Sequence, residues 1–197
     1  EMSRVCHPLL PDMLSRGEQI KVFSGLFIKA HHDGCILTDT LMLPPGAAGD
    51  EKYVGATVLE PTPGFYNELP VVTLDFASLY PSIMLAFNFC YSTVVLAGSE
   101  RVDEVEYEDH EIGPNETYTF AKNVDGILPA LLRDILAARK RAKMMMAEAT
   151  TPELKAIFNS RQLALKISAN SVYGFTGAAK LGKYPLAAIA KATTFRG

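Results

Sequence analysis

The sequence is short of several things, and each absence removes a class of function. No apolar run approaches the roughly 18 residues that a membrane span needs. The first residues, Glu1-Met2-Ser3-Arg4, lack the charged-then-apolar pattern of a secretory signal. The three cysteines, Cys6, Cys35 and Cys90, are odd in number and far apart. They fit neither a disulfide framework nor a zinc knuckle, and they point to a reducing compartment. His7 and the pair His31-His32 have no acidic or cysteine partner spaced to complete a ligand set, so they read as surface or packing residues. There is no nucleophile elbow, no zinc-protease helix motif and no dinucleotide fingerprint. Gly177-Ala-Ala-Lys-Leu-Gly-Lys183-Tyr184 matches G-x-x-x-x-G-K but ends in Tyr, where a phosphate loop needs Ser or Thr for magnesium. It also follows a helical pattern instead of a strand, and Pro185 disfavours a helix starting there, so it is not a phosphate loop.

What is present is ordinary in bulk and uneven in distribution. At 197 residues, 48% apolar and 21% charged, the chain suits one or two globular domains with a sizeable core. The net charge of −3 hides an asymmetry: residues 1–125 carry 7 Lys/Arg against 19 Asp/Glu, and residues 126–197 carry 12 against 3. A basic C-terminal part at +9 fits a polyanionic partner, although charge alone favours a solvated basic face.

Taken in order, Ile20, Val22, Phe23, Leu26 and Phe27 recur near helical spacing after the breaker Gly17. Residues 38–51, with Pro44-Pro45-Gly46 and Gly49-Asp50, read as loop. Residues 53–59 suit a strand, and a turn at Pro61, Pro63 and Gly64 predicts that it pairs with the next one. That next strand is Val71-Val72-Thr73-Leu74, an apolar run ending on the lone carboxylate of Asp75. A buried charge there is costly unless paired or metal-bound, so Asp75 is either salt-bridged or a ligand. A turn follows, with Ser78 as a capping candidate and Pro81 at the first position of a buried helix containing Ile83, Met84, Leu85 and Phe87. Residues 91–97 suggest another strand. Eight acidic residues between Glu100 and Glu116, opposed only by Arg101, read as a solvated surface excursion, with an acidic lid as the alternative.

Beyond Asp125 the pattern turns helical. Leu131, Leu132, Ile135 and Leu136 form the stripe of one helix, with Pro129 tolerable only in its first turn. Thr150 and Glu153 stand at capping-box spacing for a second helix carrying Leu154, Ile157, Phe158, Leu163, Leu165 and Ile167. The short connection predicts an antiparallel hairpin. Arg139 and Lys143 share one face of the first helix; Lys166, Asn170 and Tyr173 share one face of the second. Like charges four apart weaken a helix slightly, and a bound polyphosphate would account for keeping them. A solvated outer face is the plainer alternative.

Two segments then match a family together. Asp75-Phe-Ala-Ser-Leu-Tyr-Pro-Ser82 resembles motif A of the family B DNA polymerases, and Lys166-Ile-Ser-Ala-Asn-Ser-Val-Tyr-Gly174 resembles their motif B, K-x-x-x-N-S-x-Y-G. Both occur in the right order with a basic helical hairpin between them. Within the family, Gly55–Pro61, Ala138–Lys143 and Arg161–Gly177 are most similar to the branch of the eukaryotic delta catalytic subunits and their relatives in large DNA viruses. The resemblance covers almost the whole chain.

The resemblance implies an α+β fold: part of a polymerase palm, an antiparallel sheet with helices, plus a fingers helical hairpin. Residues 1–45 would be the exit from an exonuclease domain, 46–123 the palm with an acidic insertion at 98–118, 124–178 the fingers, and 179–197 a strand returning to the palm. The implied activity is DNA-directed DNA synthesis, the template-directed transfer of dNMP from dNTP to a primer 3′-hydroxyl in replication. Asp75 would be one carboxylate of a two-Mg²⁺ site, with the backbone carbonyl of Phe76 as a further ligand. The N–H groups of Ser78 and Leu79 would hold the triphosphate, and Tyr80 would lie under the deoxyribose. Arg139, Lys143 and Lys166 would clamp the phosphates, with Asn170 supporting them. Tyr173 and Gly174 would lie against the nascent base pair. The resemblance further implies primer-template DNA, a sliding clamp and accessory subunits as partners, no membrane, and a nuclear location or a cytoplasmic viral factory. The second metal carboxylate, on the family's Y-G-D-T-D-S hairpin, is expected beyond Gly197, so this stretch alone is expected not to polymerise DNA. The register after Gly177 departs from the family by one residue before Pro185, and Phe195-Arg196-Gly197 inverts its usual Gly-Arg. The alternative to an enzyme is a non-catalytic, nucleic-acid-binding helical module resting on the basic C-terminal part.

Overall fold

The computed structural model describes residues 7–37, 55–96, 98–178 and 184–197. The loop predicted at 38–51 and most of the Gly177–Tyr184 segment lie outside these residues. The described elements are α1 (Leu10–Ser15), α2 (Glu18–His32), α3 (Leu79–Ala86), β1 (Val94–Val95), β2 (Tyr107–Gly113), β3 (Glu116–Ala121), α4 (Ile127–Glu148), α5 (Pro152–Gly177) and α6 (Ala187–Arg196).

The core lies where α2, α4 and α5 meet. Val22, Leu26 and Ala30 of α2 pack with Leu128, Leu132, Ile135 and Ala142 of α4 and with Leu165, Ala169 and Val172 of α5. Alanines at 142 and 169 are almost fully buried, and small residues allow helix backbones to approach closely. The α4–α5 connection occupies only residues 149–151, so the two helices form the predicted hairpin. Thr151, not Thr150, caps α5: its side chain accepts from the Leu154 N–H at 3.3 Å, and Pro152 takes the first helical position. The cap falls one residue later than predicted because Pro152 forces its predecessor into extended backbone, the conformation an N-cap needs.

The start of α4 has no side-chain cap of its own. Its orphan N–H groups are served by a segment nearly forty residues earlier. Asn88 Oδ1 accepts from Gly126 N at 3.2 Å, Ser92 Oγ from Ile127 N at 3.3 Å and Cys90 Sγ from Leu128 N at 3.1 Å. A Cβ at Gly126 would lie 2.6 Å from Asn88 Oδ1 and 2.9 Å from Cys90 Cβ, which is why the helix opens on glycine. Burial pushes the Cys90 thiol above its ordinary pKa, so it stays protonated and packs as a small apolar group.

Four sequence expectations about strands change. Residues 55–76 form neither helix nor strand and pair with no strand among the described residues, and Val71, Val72 and Leu74 are exposed. An apolar run becomes a sheet strand only when a ladder partner satisfies its backbone, and none is supplied here. The strand at 91–97 shrinks to Val94–Val95. The acidic excursion is more ordered than solvated surface: it folds into the β2–β3 hairpin, and the sheet order is β1-β3-β2, all antiparallel. Alternation decides this, since His110 and Phe120 point inward while Asp109 and Glu111 face water. Two of the acidic side chains are matched by cations outside the stretch, Glu116 by Lys191 at 2.6 Å and Glu108 by Lys122 at 3.1 Å. Part of the charge asymmetry is therefore internal pairing. The chain's last segment, expected as a strand, is α6; Ala188, Ile189, Ala190, Ala192 and Thr193 are its buried residues.

Candidate active site

The turn before α3 builds one wall of a cleft. Ser78 precedes α3 in the left-handed conformation (φ 55°) and makes no side-chain cap bond. Such backbone is uncommon for a serine and gathers at sites where the surroundings hold it. The first helical turn closes when Ser82 N donates to Ser78 O at 2.9 Å. Pro81 is thus at the third helical position, not the first, and still within the turn whose N–H groups have no intrahelical partner. The N–H groups of the α3 start, with the positive end of the helix dipole, border the cleft.

The hairpin supplies the opposite wall. The cleft, of about 640 Å³, is lined by Asp75, Phe76, Ser78, Leu79, Tyr80, Arg139, Lys143, Lys166, Asn170 and Tyr173, joined by Ala77 and Pro81. Three stretches, at 75–81, 139–143 and 166–173, meet here, and every predicted site residue except Gly174 is in the lining. Gly174 lies on the exposed side of α5. Ala77 and Pro81 were inside the motif A segment but carry no side-chain chemistry to single them out.

Arg139, Lys143 and Lys166 bring three positive charges to this cleft and Asp75 one negative charge. Arg139 Nε is directed at Gln162 Oε1 at 3.5 Å, a supporting contact with no family motif or charge pattern to reveal it. Lys143 and Lys166 have no carboxylate partner among the described residues. Asp75 is exposed and likewise makes no ion pair there, so it is not the buried, salt-bridged carboxylate of the first option. It is a solvated carboxylate at the edge of a positively charged cleft. The floor is aromatic: the Tyr80 and Tyr173 ring centroids are 4.2 Å apart with planes at 34°.

Elsewhere, His7, His31 and His32 are exposed, and His32 Nδ1 lies 3.2 Å from Asp33. No group of three or more His, Cys, Asp or Glu side chains that could hold a metal exists among the described residues. No described helix is long and apolar enough to cross a membrane.

Comparison with known proteins agrees with this arrangement. A family model described as DNA polymerase family B matches residues 9–197. The chain is 45% identical over 195 residues to the DNA polymerase delta catalytic subunit of Candida albicans, covering 98% of this chain and 18% of that protein. It is 46% identical over 202 residues to the DNA polymerase delta catalytic subunit of Drosophila melanogaster, covering 100% of this chain and again 18% of the relative. Its fold resembles the family B DNA polymerase from the hyperthermophilic archaeon Pyrobaculum calidifontis, with a TM-score of 0.69 and 27% identity over 98% of this chain and 24% of that one. The chain therefore spans less than a fifth of the length of the curated relatives it matches. With a match along nearly its whole length and the mixed helical and antiparallel-sheet fold to go with it, this chain belongs to DNA polymerase family B.

Proposed function

We propose that the polypeptide carrying this chain is a delta-like replicative DNA polymerase, and that the cleft receives the triphosphate of the incoming dNTP. The observation that carries the reading is the meeting of an α3 N-terminus, three cations and an unpaired carboxylate in one cleft. In this reading residues 46–123 belong to the palm, 124–178 are the fingers and 179–197 return to the palm.

Each residue then has a physical task. The N–H groups of Ser78 and Leu79 donate to phosphate oxygens with the helix dipole behind them. Arg139 offers a planar fork, and Lys143 and Lys166 act as mobile point charges, so negative charge growing on the leaving pyrophosphate is met by groups already in place. Asn170 contributes an uncharged donor one turn beyond Lys166. Tyr80 blocks the space a 2′-hydroxyl would need.

The donor set suits Mg²⁺, which is commonly held by one or two carboxylates together with substrate phosphates. Asp75 and the Phe76 carbonyl would hold it; among the described residues Asp75 is the only carboxylate in the lining, so a two-ion site needs a second from elsewhere. When bound, such ions supply Lewis-acid charge to the attacking hydroxyl and the leaving phosphates. On the same reading primer-template DNA and dNTP are the substrates, a sliding clamp and accessory subunits are partners, and the nucleus, or a viral factory in the cytoplasm, is the location.

The test is single-nucleotide incorporation by the full polymerase. Asp75→Ala should abolish turnover while primer-template binding persists. Lys166→Ala should raise the KM for dNTP and lower kcat, together about 10- to 100-fold in kcat/KM, the range of one charge-assisted contact. Normal turnover by Asp75→Ala would overturn the assignment.

A further inference from the structure

The aromatic floor of the cleft is held from outside the cleft, by the last turn of α6. Tyr173 Oη and Thr194 Oγ1 lie 2.6 Å apart. Thr194 Oγ1 donates its one hydrogen to the Ala190 carbonyl at 3.0 Å. It must therefore accept from Tyr173, and the phenol has a directed bond at its far end. The ring bonded in this way is the one packed, tilted by 34°, against Tyr80, with the centroids 4.2 Å apart. Tyr80 is supported from the same turn: a Cβ on Gly197 would meet Tyr80 Cε1 at 3.2 Å and Ile83 Cδ1 at 3.3 Å, so the α6 terminus already abuts that ring. The turn has firm footing on the β2–β3 hairpin. Arg196 Nη2 is 2.9 Å from His110 Nδ1 and its guanidinium lies 4.7 Å from the Phe87 ring centroid, while Lys191 bonds Glu116.

We propose that Thr194 is a positioning residue for the Tyr173–Tyr80 pair, and that its hydroxyl sets how strictly the cleft discriminates a 2′-deoxyribose from a ribose. The inference rests on the nucleotide reading of the cleft. Its physical basis is geometric: a ring that excludes one oxygen atom does so only while it cannot tilt, and tilt of Tyr80 is limited by the ring packed on it. Removing the acceptor takes one hydrogen bond from the Tyr173 phenol without altering any group lining the cleft.

The experiment compares Thr194→Val and Thr194→Ser in the full polymerase, with kcat and KM measured for a dNTP and for the matching NTP. Thr194→Val keeps the shape and deletes the hydroxyl; Thr194→Ser keeps the hydroxyl. The expected result is a fall of about 3- to 10-fold in the dNTP/NTP ratio of kcat/KM for Thr194→Val, the scale of one lost neutral hydrogen bond, with Thr194→Ser at the parental ratio. An unchanged ratio in Thr194→Val overturns the proposal, as does an equal fall in both variants, which would assign the effect to packing. Tyr80→Ala separates the two levels: if it changes the ratio and Thr194→Val does not, only the role of Thr194 fails. If Tyr80→Ala also leaves the ratio unchanged, the nucleotide reading of the cleft fails with it.

Discussion

Replacing Asn88 should loosen the joint between the two walls of the cleft. Asn88 follows α3 at φ 54° and makes three bonds across the fold. Its Nδ2 donates to the Ala121 carbonyl at 2.8 Å and to the Val124 carbonyl at 2.7 Å, while its Oδ1 accepts from Gly126 N at 3.2 Å. One side chain thus ties the end of α3 to β3 and to the start of α4. The Ala121 carbonyl and the Gly126 N–H belong to buried residues, so each lost bond leaves a polar group with poor access to water and costs about 1–1.5 kcal/mol. The Val124 carbonyl belongs to an exposed residue and regains water, at a cost of about 0.5 kcal/mol or less. Alanine at a left-handed position adds about 1 kcal/mol that asparagine largely avoids. Asn88→Ala is therefore expected to lose about 3–4 kcal/mol, and Asn88→Gly, which relieves the backbone but not the bonds, about 2–3 kcal/mol. Denaturant unfolding reads the totals, and amide hydrogen exchange at Gly126, Ile127 and Leu128 reads the locality, with faster exchange there before any change in α5. Losses under about 0.5 kcal/mol in both variants would refute the account of α4 being capped from the 88–92 segment.

Thr151→Ala should cost about 1 kcal/mol and Thr150→Ala close to nothing, as measured by unfolding, because only Thr151 caps α5. Burial first, and the Arg196 guanidinium second, hold the His110 pKa below its ordinary value. In the window from about pH 6.5 down to that lowered value the unfolded chain takes up a proton that the folded chain refuses, so stability falls as the pH drops through it. An imidazole titration by NMR with a midpoint at or above 6.5 would contradict this. Leu165→Ala, at a fully buried position between α2, α4 and α5, should lose about 2–5 kcal/mol of unfolding free energy, and a loss below 1 kcal/mol would mean the core is centred elsewhere.

The amino-acid sequence by itself determined the helical hairpin, because the apolar stripe of Leu131, Leu132 and Ile135 and the Thr-Pro start of α5 are local signals of period and capping. It also determined which faces carry Arg139, Lys143, Lys166 and Asn170, since spacing alone places residues four apart together, and motif resemblance supplied Asp75, Ser78 and Tyr80. Tertiary structure decided what spacing cannot encode. Whether Val71–Leu74 is a sheet strand depends on a ladder partner and not on its own side chains, and no described residue provides one. Asp75 is exposed as well, so burial does not single it out; the cations across the cleft do. The acidic stretch became a hairpin because His110 and Phe120 found a core at Phe87 and Phe89, contacts far apart in sequence. Asn88 capping Gly126 and Thr194 holding Tyr173 are bonds between single side chains from separate elements, with no periodicity or motif to announce them. Such long-range bonds bring the two walls of the cleft into one site.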